Sequence, residues 1–249
     1  GTINVYGQYA SSSYYAIDIE SDVSVSANAS NIINVAQSAG GSSYDEDMKI
    51  RFDGNEIGSL TISNDTRKVL TTESLDVKGN LTITSGTLDV DAGNDHINLE
   101  GNLSISGTLD ATGEEITFDG SGAQTVGGIT GNDAVMYVSK SGGTLTTTGD
   151  LALDELRVTA GTMLVDGEDV TVDDRLAVTG GILQITNGSI TSDHDDSDFS
   201  TITAGTIDVD GGTVNFGGSS VLWADLDMTG GLLDISGGIV NISDELDVA

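Results

Sequence analysis

Two acidic segments contain the residues whose types and spacing best suit metal binding. The segment DGEDVTVDD covers residues 166–174, and DHDDSD covers residues 193–198. Calcium takes roughly six to eight oxygen ligands from flexible, carboxylate-rich loops, although neither segment has the spacing of an EF-hand loop. Carboxylates that are simply solvated on turns are the alternative interpretation. The predicted calcium ligands are Asp166, Glu168, Asp169, Asp173, Asp174, Asp193, Asp195, Asp196 and Asp198.

Groups suited to catalysis are sparse. Asp173, Asp174 and Arg175 form a local combination of two acids with a basic residue. Adjacent residues of a strand point to opposite faces, which argues against a working carboxylate pair. The two His are isolated, and the motifs GxSxG, HExxH and GK[ST] do not occur. We therefore expect a protein that is not an enzyme, with a polysaccharide-degrading β-helix enzyme as the least favoured alternative.

The charge of the chain limits its partners. Its 249 residues include 40 Asp plus Glu but only 8 Lys plus Arg, which gives a formal net charge of −32. Binding to nucleic acid depends on Lys and Arg that displace counterions from phosphate, so we exclude a nucleic-acid partner. No apolar run of about 18 residues is present, so we expect no insertion into a membrane. Divalent cations are what such a surface attracts, and no cofactor other than calcium is indicated.

A repeat runs through most of the sequence. ITSGTLDV at 83–90 recurs as VTAGTMLV at 158–165 and as ITAGTIDV at 202–209. Each copy has a small residue and a Gly, which permit a tight corner, followed by alternating apolar and polar residues. Most copies are 18 to 26 residues apart, with one gap of 36. The first apolar residues after the corner Gly are Leu88, Leu109, Leu145, Met163, Leu183, Ile207 and Leu233.

Each repeat holds three short segments of alternating character. In residues 160–179 they are MLV, VTV and LAV. Three strands per repeat predict an all-β fold, namely a parallel β-helix (a single-stranded β-solenoid) with about eight coils and an N-terminal β cap. An antiparallel sandwich or barrel is the alternative, but it has no period of three strands. Because alternate residues of a strand share one face, the residues predicted to point inward are Met163, Val165, Val170, Val172, Leu176 and Val178.

The pattern divides the chain at about residue 62. Residues 1–62 lack the corner motif and contain five of the six Tyr, so we predict an N-terminal β cap or an assembly segment there. A solenoid needs a distinct unit to cover unpaired backbone at its end. Residues 63–249 form the predicted solenoid, with a loop insertion at 119–133.

We expect no capping segment for the coil at residues 230–249. We expect this coil to expose unpaired backbone groups and apolar side chains, and we expect the Tyr-rich N-terminal segment to receive it in a second copy. The predicted assembly residues are Tyr6, Tyr9, Tyr14, Tyr15, Leu233, Ile235, Val240, Ile242, Leu246 and Val248.

The series GTLDV, GGTVNF and LDMTGG resembles the β-solenoid stretches of prokaryotic surface proteins, such as autotransporter passengers, adhesins and fibre or surface-layer subunits. The resemblance covers residues 63–249 and implies an extracellular or cell-surface location with a scaffolding or adhesive task. We expect a structural subunit that polymerises head to tail with itself. The alternative is an adhesin or carbohydrate-binding module, a fragment of a longer solenoid that contacts surface glycans.

Overall fold

The computed structural model describes residues 1–7, 17–18, 28–37, 47–90, 96–131, 134–194, 199–218 and 226–249. Over these residues the chain is all-β and forms a parallel β-solenoid of about eight turns, with no helix in the described ranges. The predicted fold class is therefore confirmed. Within the same ranges, no helix is long and apolar enough to cross a membrane.

The chain divides into two compact units, Gly1–Ile116 and Thr117–Ala249. The strand β11 (Glu115–Phe118) contains the boundary. The strands of the first unit are β1 (Thr2–Gly7), β2 (Ile17–Asp18), β3 (Ile32–Gln37), β4 (Met48–Arg51), β5 (Ser59–Thr71), β6 (Leu75–Val77), β7 (Leu81–Val90), β8 (His96–Leu99), β9 (Leu103–Ile105) and β10 (Thr108–Asp110).

Strands of the first unit stack in three parallel rows. One row joins β1, β3, the start of β5, the start of β7, and β9. The second joins β2, β4, the end of β5, the end of β7, and β10. The third joins β6 and β8. The strands β1 to β4, which lie in the segment predicted to cap the solenoid, thus pair in parallel with the strands that follow them, and their role as a cap stays a prediction.

The strand β7 shows how the corner motif works. Ile83 before the corner and Leu88 after it are both fully buried. Between them Gly86 has a φ of +75°, and a Cβ at this position would lie 1.6 Å from the carbonyl oxygen of Asn64. Only Gly combines this left-handed backbone with so close an approach of the neighbouring coil.

Strands of the second unit have the same arrangement. Each coil again contributes a strand, or a stretch of a longer strand, to each of three parallel rows. The strands are β12 (Gln124–Gly127), β13 (Val135–Thr147), β14 (Leu151–Val178), β15 (Ile182–His194), β16 (Ser200–Ile202), β17 (Thr206–Val209), β18 (Thr213–Gly218), β19 (Leu226–Met228), β20 (Leu232–Ile235), β21 (Ile239–Ile242) and β22 (Leu246–Val248).

Register in the second unit agrees with the sequence repeat. Leu145, Met163, Leu183, Ile207 and Leu233 are successive Cα partners in one row. In the first unit Leu88 and Leu109 are partners in the same way. The six residues predicted to point inward in 160–179 are each at most 1% exposed. The repeat therefore identified both the stacking register and the buried face.

Part of the segment predicted to be a loop insertion, 119–133, is a strand. β12 lies inside this segment and pairs in parallel with the end of β13. Gln124 of β12 is the register partner of Leu145. Gln124 is polar at a position where the other coils have an apolar residue. The sequence repeat therefore shows a gap of 36 residues between Leu109 and Leu145, although β12 stacks within that gap.

Candidate functional site

Two consecutive coils near residue 249 differ in what covers them. The coil formed by β17, β18 and β19, called the covered coil here, pairs with a coil on each side. The coil formed by β20, β21 and β22, called the edge coil, pairs with the covered coil alone among the described residues. Its strands continue the three rows without a change of register.

Six of the predicted assembly residues lie on the inward rows of the edge coil. Val209 of the covered coil is 0% exposed, whereas its register partner Ile235 is 49% exposed. Leu226 is 0% exposed, whereas its partner Leu246 is 45% exposed. The inward rows of the edge coil thus remain apolar, but their side chains are more exposed than those of the covered coil. The residues concerned are Leu233, Ile235, Val240, Ile242, Leu246 and Val248.

The strand β1 is an edge of the first unit, because among the described residues it pairs only with β3. Ile3 is 61% exposed on this strand, whereas its register partner Ile33 is 6% exposed. Tyr6, one of the predicted assembly residues, is 62% exposed. Tyr9, Tyr14 and Tyr15 lie outside the described residues.

The first acidic segment is part of β14 and its corner. Asp166 Oδ1 accepts hydrogen bonds from Asn187 Nδ2 at 2.7 Å and from Thr186 Oγ1 at 3.0 Å. These two bonds hold the pKa of Asp166 below its usual value. Asp169 Oδ1 accepts a bond of 2.7 Å from Ser189 Oγ. The neighbouring coil thus supplies donors to these carboxylates.

The other predicted calcium ligands do not converge in the described part of the chain. Asp173 and Asp193 are exposed, Asp174 and Glu168 are half-buried, and Asp195, Asp196 and Asp198 lie outside the described residues. No group of three or more His, Asp or Glu side chains able to hold a metal ion occurs among the residues that the structure describes. The calcium hypothesis for these segments stays a prediction.

Two Lys in the first unit each bridge carboxylates from different coils. Lys68 Nζ lies 2.8 Å from Asp89 and 3.3 Å from Asp110. Lys78 Nζ lies 2.8 Å from Glu56 and also bonds to Glu100. Hydrogen bonds to their carboxylates raise the pKa of both Lys, with Asp89 the main partner of Lys68 and Glu100 that of Lys78. Stacked acids of the first unit are therefore partly neutralised.

In the second unit Glu155 takes the corresponding role between two Arg. It bonds to Arg157, and Arg175 Nη2 lies 3.2 Å from its carboxylate. Arg157 also donates to Tyr137 Oη at 2.6 Å and stacks over that ring, 5.1 Å from its centroid. Burial acts to raise the pKa of Glu155, but Arg157 and Arg175 outweigh it and hold the pKa below its usual value.

A buried Lys is the feature that the sequence reasoning missed. Lys140 is 2% exposed, and its Nζ donates to the carbonyl oxygen of Gly120 at 2.8 Å and to Gln124 Oε1. Burial lowers the pKa of Lys140, against the opposing charge of Asp119. The available signal was the corner VSKSGGTL, which carries Lys where VTAGTML has only small residues.

Carboxylates near the edge coil have no Lys or Arg beside them in sequence, because no basic residue other than His194 follows Arg175. Asp208 of the covered coil is the register partner of Asp234 in the edge coil. Burial, Asp210 and Asp234 together raise the pKa of Asp208. Gln184 Nε2 donates to Asp208 at 3.3 Å and to Asp210 at 3.0 Å, so an amide takes the place of a cation.

No family model, no curated protein and no solved structure matches the chain. The choice of a function depends on the coils and side chains described above.

Proposed function

We propose that the chain is a non-enzymatic structural protein of an extracellular or cell surface, a subunit that adds to copies of itself head to tail through the ends of its solenoid. The observation that carries this proposal is the uncovered inward row of the edge coil. Its residues are as apolar as those of the covered coil, yet Ile235 and Leu246 are 49% and 45% exposed. A further parallel coil would bury them.

The geometry of the edges supports a second copy as the covering partner. The free side of β1 faces away from β3, and the free side of the edge coil faces away from the covered coil. The free side of β1 is the one that a preceding coil would occupy, and the free side of the edge coil is the one that a following coil would occupy. A contact between two different surfaces that does not close produces an open filament.

Self-association of the purified chain is the direct test. Sedimentation velocity over a range of concentrations, together with negative-stain microscopy, should show oligomers that grow with concentration into fibres of constant width. Sodium chloride and calcium should be varied, because repulsion within a chain of net charge −32 opposes association at low ionic strength.

Proline substitutions in the edge coil give a specific block. The Ile239 N–H donates to the Gly212 carbonyl oxygen, so by alternation the N–H of Val240 points to the free side. The Ala249 N–H donates to the Met228 carbonyl oxygen. By the same alternation, the N–H groups of Val248 and Leu246 point to the free side. Val240→Pro with Leu246→Pro should abolish fibres while the covered coils keep their melting transition.

A wild-type chain that stays a monomer at high concentration in salt and calcium would overturn the polymerisation proposal. The alternative of an adhesin or a carbohydrate-binding module would then be preferred.

A further inference from the structure

Asparagine ladders lie at both edges that the proposed polymer would join. Asn4 of β1 is the register partner of Asn34 in β3, and Asn34 Nδ2 donates to Asn4 Oδ1 at 2.7 Å. Asn215 of β18 is the register partner of Asn241 in β21, and Asn241 Nδ2 donates to Asn215 Oδ1 at 2.8 Å. Stacked side-chain amides in register thus connect the last two coils at each edge.

The sequences around these Asn are alike. β1 begins in GTINV at residues 1–5, and β18 begins in GTVNF at residues 212–216. The partner of β1 reads IINV at 32–35, and the partner of β18 reads IVNI at 239–242. In each pair the earlier strand has the pattern Thr–apolar–Asn–apolar. The strand of the next coil has the pattern Ile–apolar–Asn–apolar. The strand β1 therefore has the same sequence pattern as β18, the strand that pairs with β21.

Both ladders also have the same polarity. In each unit the Asn of the later strand donates to the Asn of the earlier strand, and Asn215 Nδ2 in turn donates to Thr191 Oγ1 at 3.2 Å. Among the described contacts, Asn4 Nδ2 therefore has no acceptor and Asn241 Oδ1 has no donor. One edge offers an amide donor, and the other offers an amide acceptor.

We infer that β1 of one copy docks on β21 of the next, with Asn4 Nδ2 donating to Asn241 Oδ1 so that the two asparagine ladders become continuous. This inference depends on the proposed head-to-tail assembly and specifies its junction. In this register Ile3 and Val5 lie beside Val240 and Ile242, and the apolar rows are covered on both sides. Each amide at the junction then has both a donor and an acceptor bond.

The strand β20 is the competing surface, because it presents Asp234 at the position equivalent to Asn241. Docking there would partly cover a carboxylate that already neighbours Asp208, which is itself half-buried between two coils. Burying a charge costs more than burying an amide that gains its hydrogen bond. The junction through β21 is favoured for this reason, and the two junctions make different predictions for cross-linking.

Engineered cysteines distinguish the two junctions, since the natural chain has no Cys. Thr2 would lie beside Ile239 in the junction through β21, and beside Leu232 in the junction through β20. All three side chains are exposed, so the variants should fold. Mild oxidation of Thr2→Cys/Ile239→Cys fibres should give a ladder of disulfide-linked oligomers on denaturing gels, whereas Thr2→Cys/Leu232→Cys fibres should give almost none.

The cross-linking result separates this inference from the proposed function. Fibres that cross-link only through the Leu232 position would overturn the junction and leave the polymer intact. Fibres that cross-link through neither position would also overturn the junction and leave the polymer intact. A wild-type chain that never associates would overturn both the polymer and its junction.

The polarity of the ladder has its own test. Asn4→Asp keeps the acceptor for Asn34 but removes the donor for Asn241, so the fold should be retained and the concentration needed for assembly should rise about tenfold. Ser104→Asp is the matched control, because it adds the same charge at an exposed position on β9, away from β1. Equal assembly of wild type and Asn4→Asp would overturn the ladder, as would equal losses in both variants.

Discussion

The covered coil and the edge coil have nearly the same sequence pattern but different surroundings. Phe216 and its register partner Ile242 occupy the same inward position, yet Phe216 is fully buried and Ile242 is half-buried. The difference arises because a strand of this fold shields the inward side chains of its neighbours as well as its own. In a stacked structure, the stability of a coil therefore depends on nearest-neighbour contacts, and a coil at an edge contributes less until a neighbour is added.

The largest difference between the two coils should appear on removal of an inward side chain. Phe216→Ala should lower the free energy of unfolding by about 3–5 kcal/mol. Ile242→Ala should lower it by about 1 kcal/mol or less in the monomer, because its site is already partly hydrated. Chemical denaturation of both variants checks this, and equal losses would mean that the edge coil is covered in solution.

A carboxylate held between cations should behave differently from one near the edge coil. Glu155→Gln leaves Arg157 and Arg175 without their charge partner and should cost about 1–3 kcal/mol at neutral pH. The pKa of Glu155 is lowered by folding, so its contribution is present above the usual Glu pKa of about 4.3. This contribution is lost as the pH falls through the folded value. Melting curves from pH 2 to about pH 7 should show a smaller acid loss in Glu155→Gln than in wild type.

Asp208 should show the opposite sign. Its pKa is raised by burial, Asp210 and Asp234, so a bound proton stabilises the fold below the usual Asp pKa of about 3.9. That stabilisation is lost as the pH rises through the folded value. At neutral pH Asp208→Asn should therefore stabilise the protein, by a few tenths of a kcal/mol, about the size of exposed ion pairs. Asp166→Asn is the control, since its lowered pKa predicts no such gain.

The smallest expected effect is a difference in melting temperature between sodium chloride and calcium. This difference distinguishes screening of charge from specific calcium binding. Sodium chloride should raise the melting temperature, because it screens repulsion among 40 acidic residues. If the acidic segments 166–174 and 193–198 bind calcium, millimolar calcium should raise it further than sodium chloride of equal ionic strength. Calorimetry in both salts makes the measurement, and identical curves would leave these segments as solvated turns.

Much of the fold could be predicted from the sequence because its determinants are local. Alternation of apolar and polar residues fixes the inward face, and a corner Gly such as Gly86 fixes where the chain turns. The strand β12 was missed because Gln124 occupies an inward position, where its Oε1 accepts a hydrogen bond from Lys140 Nζ. The missed strand and the missed buried Lys thus have one physical cause, a contact between a polar residue in an otherwise apolar row and a Lys at a neighbouring corner.

The candidate sites were less accessible to sequence reasoning. Asp166 and Asp169 look like a cluster in the sequence, but their hydrogen-bond donors Asn187 and Ser189 come from the next coil, about one repeat away. The pairing of β1 with β3 was also hidden, because the segment 1–62 lacks the corner motif that marks the other coils. Contacts between coils depend on register, which a short motif does not specify.

In-register stacking also bears on how such a gene can change in length. Asn215 and Asn241 are 26 residues apart and meet directly in the structure, and Thr213, Val214 and Phe216 of β18 likewise have register partners in β21. Duplication of one whole coil would place each new residue beside its own original, with the same inward and outward faces. Deletion of one whole coil would likewise bring together residues of matching character. This part of the molecule can therefore lengthen or shorten in steps of a coil without any other substitution, whereas insertion or deletion of a single residue within a strand would reverse its faces.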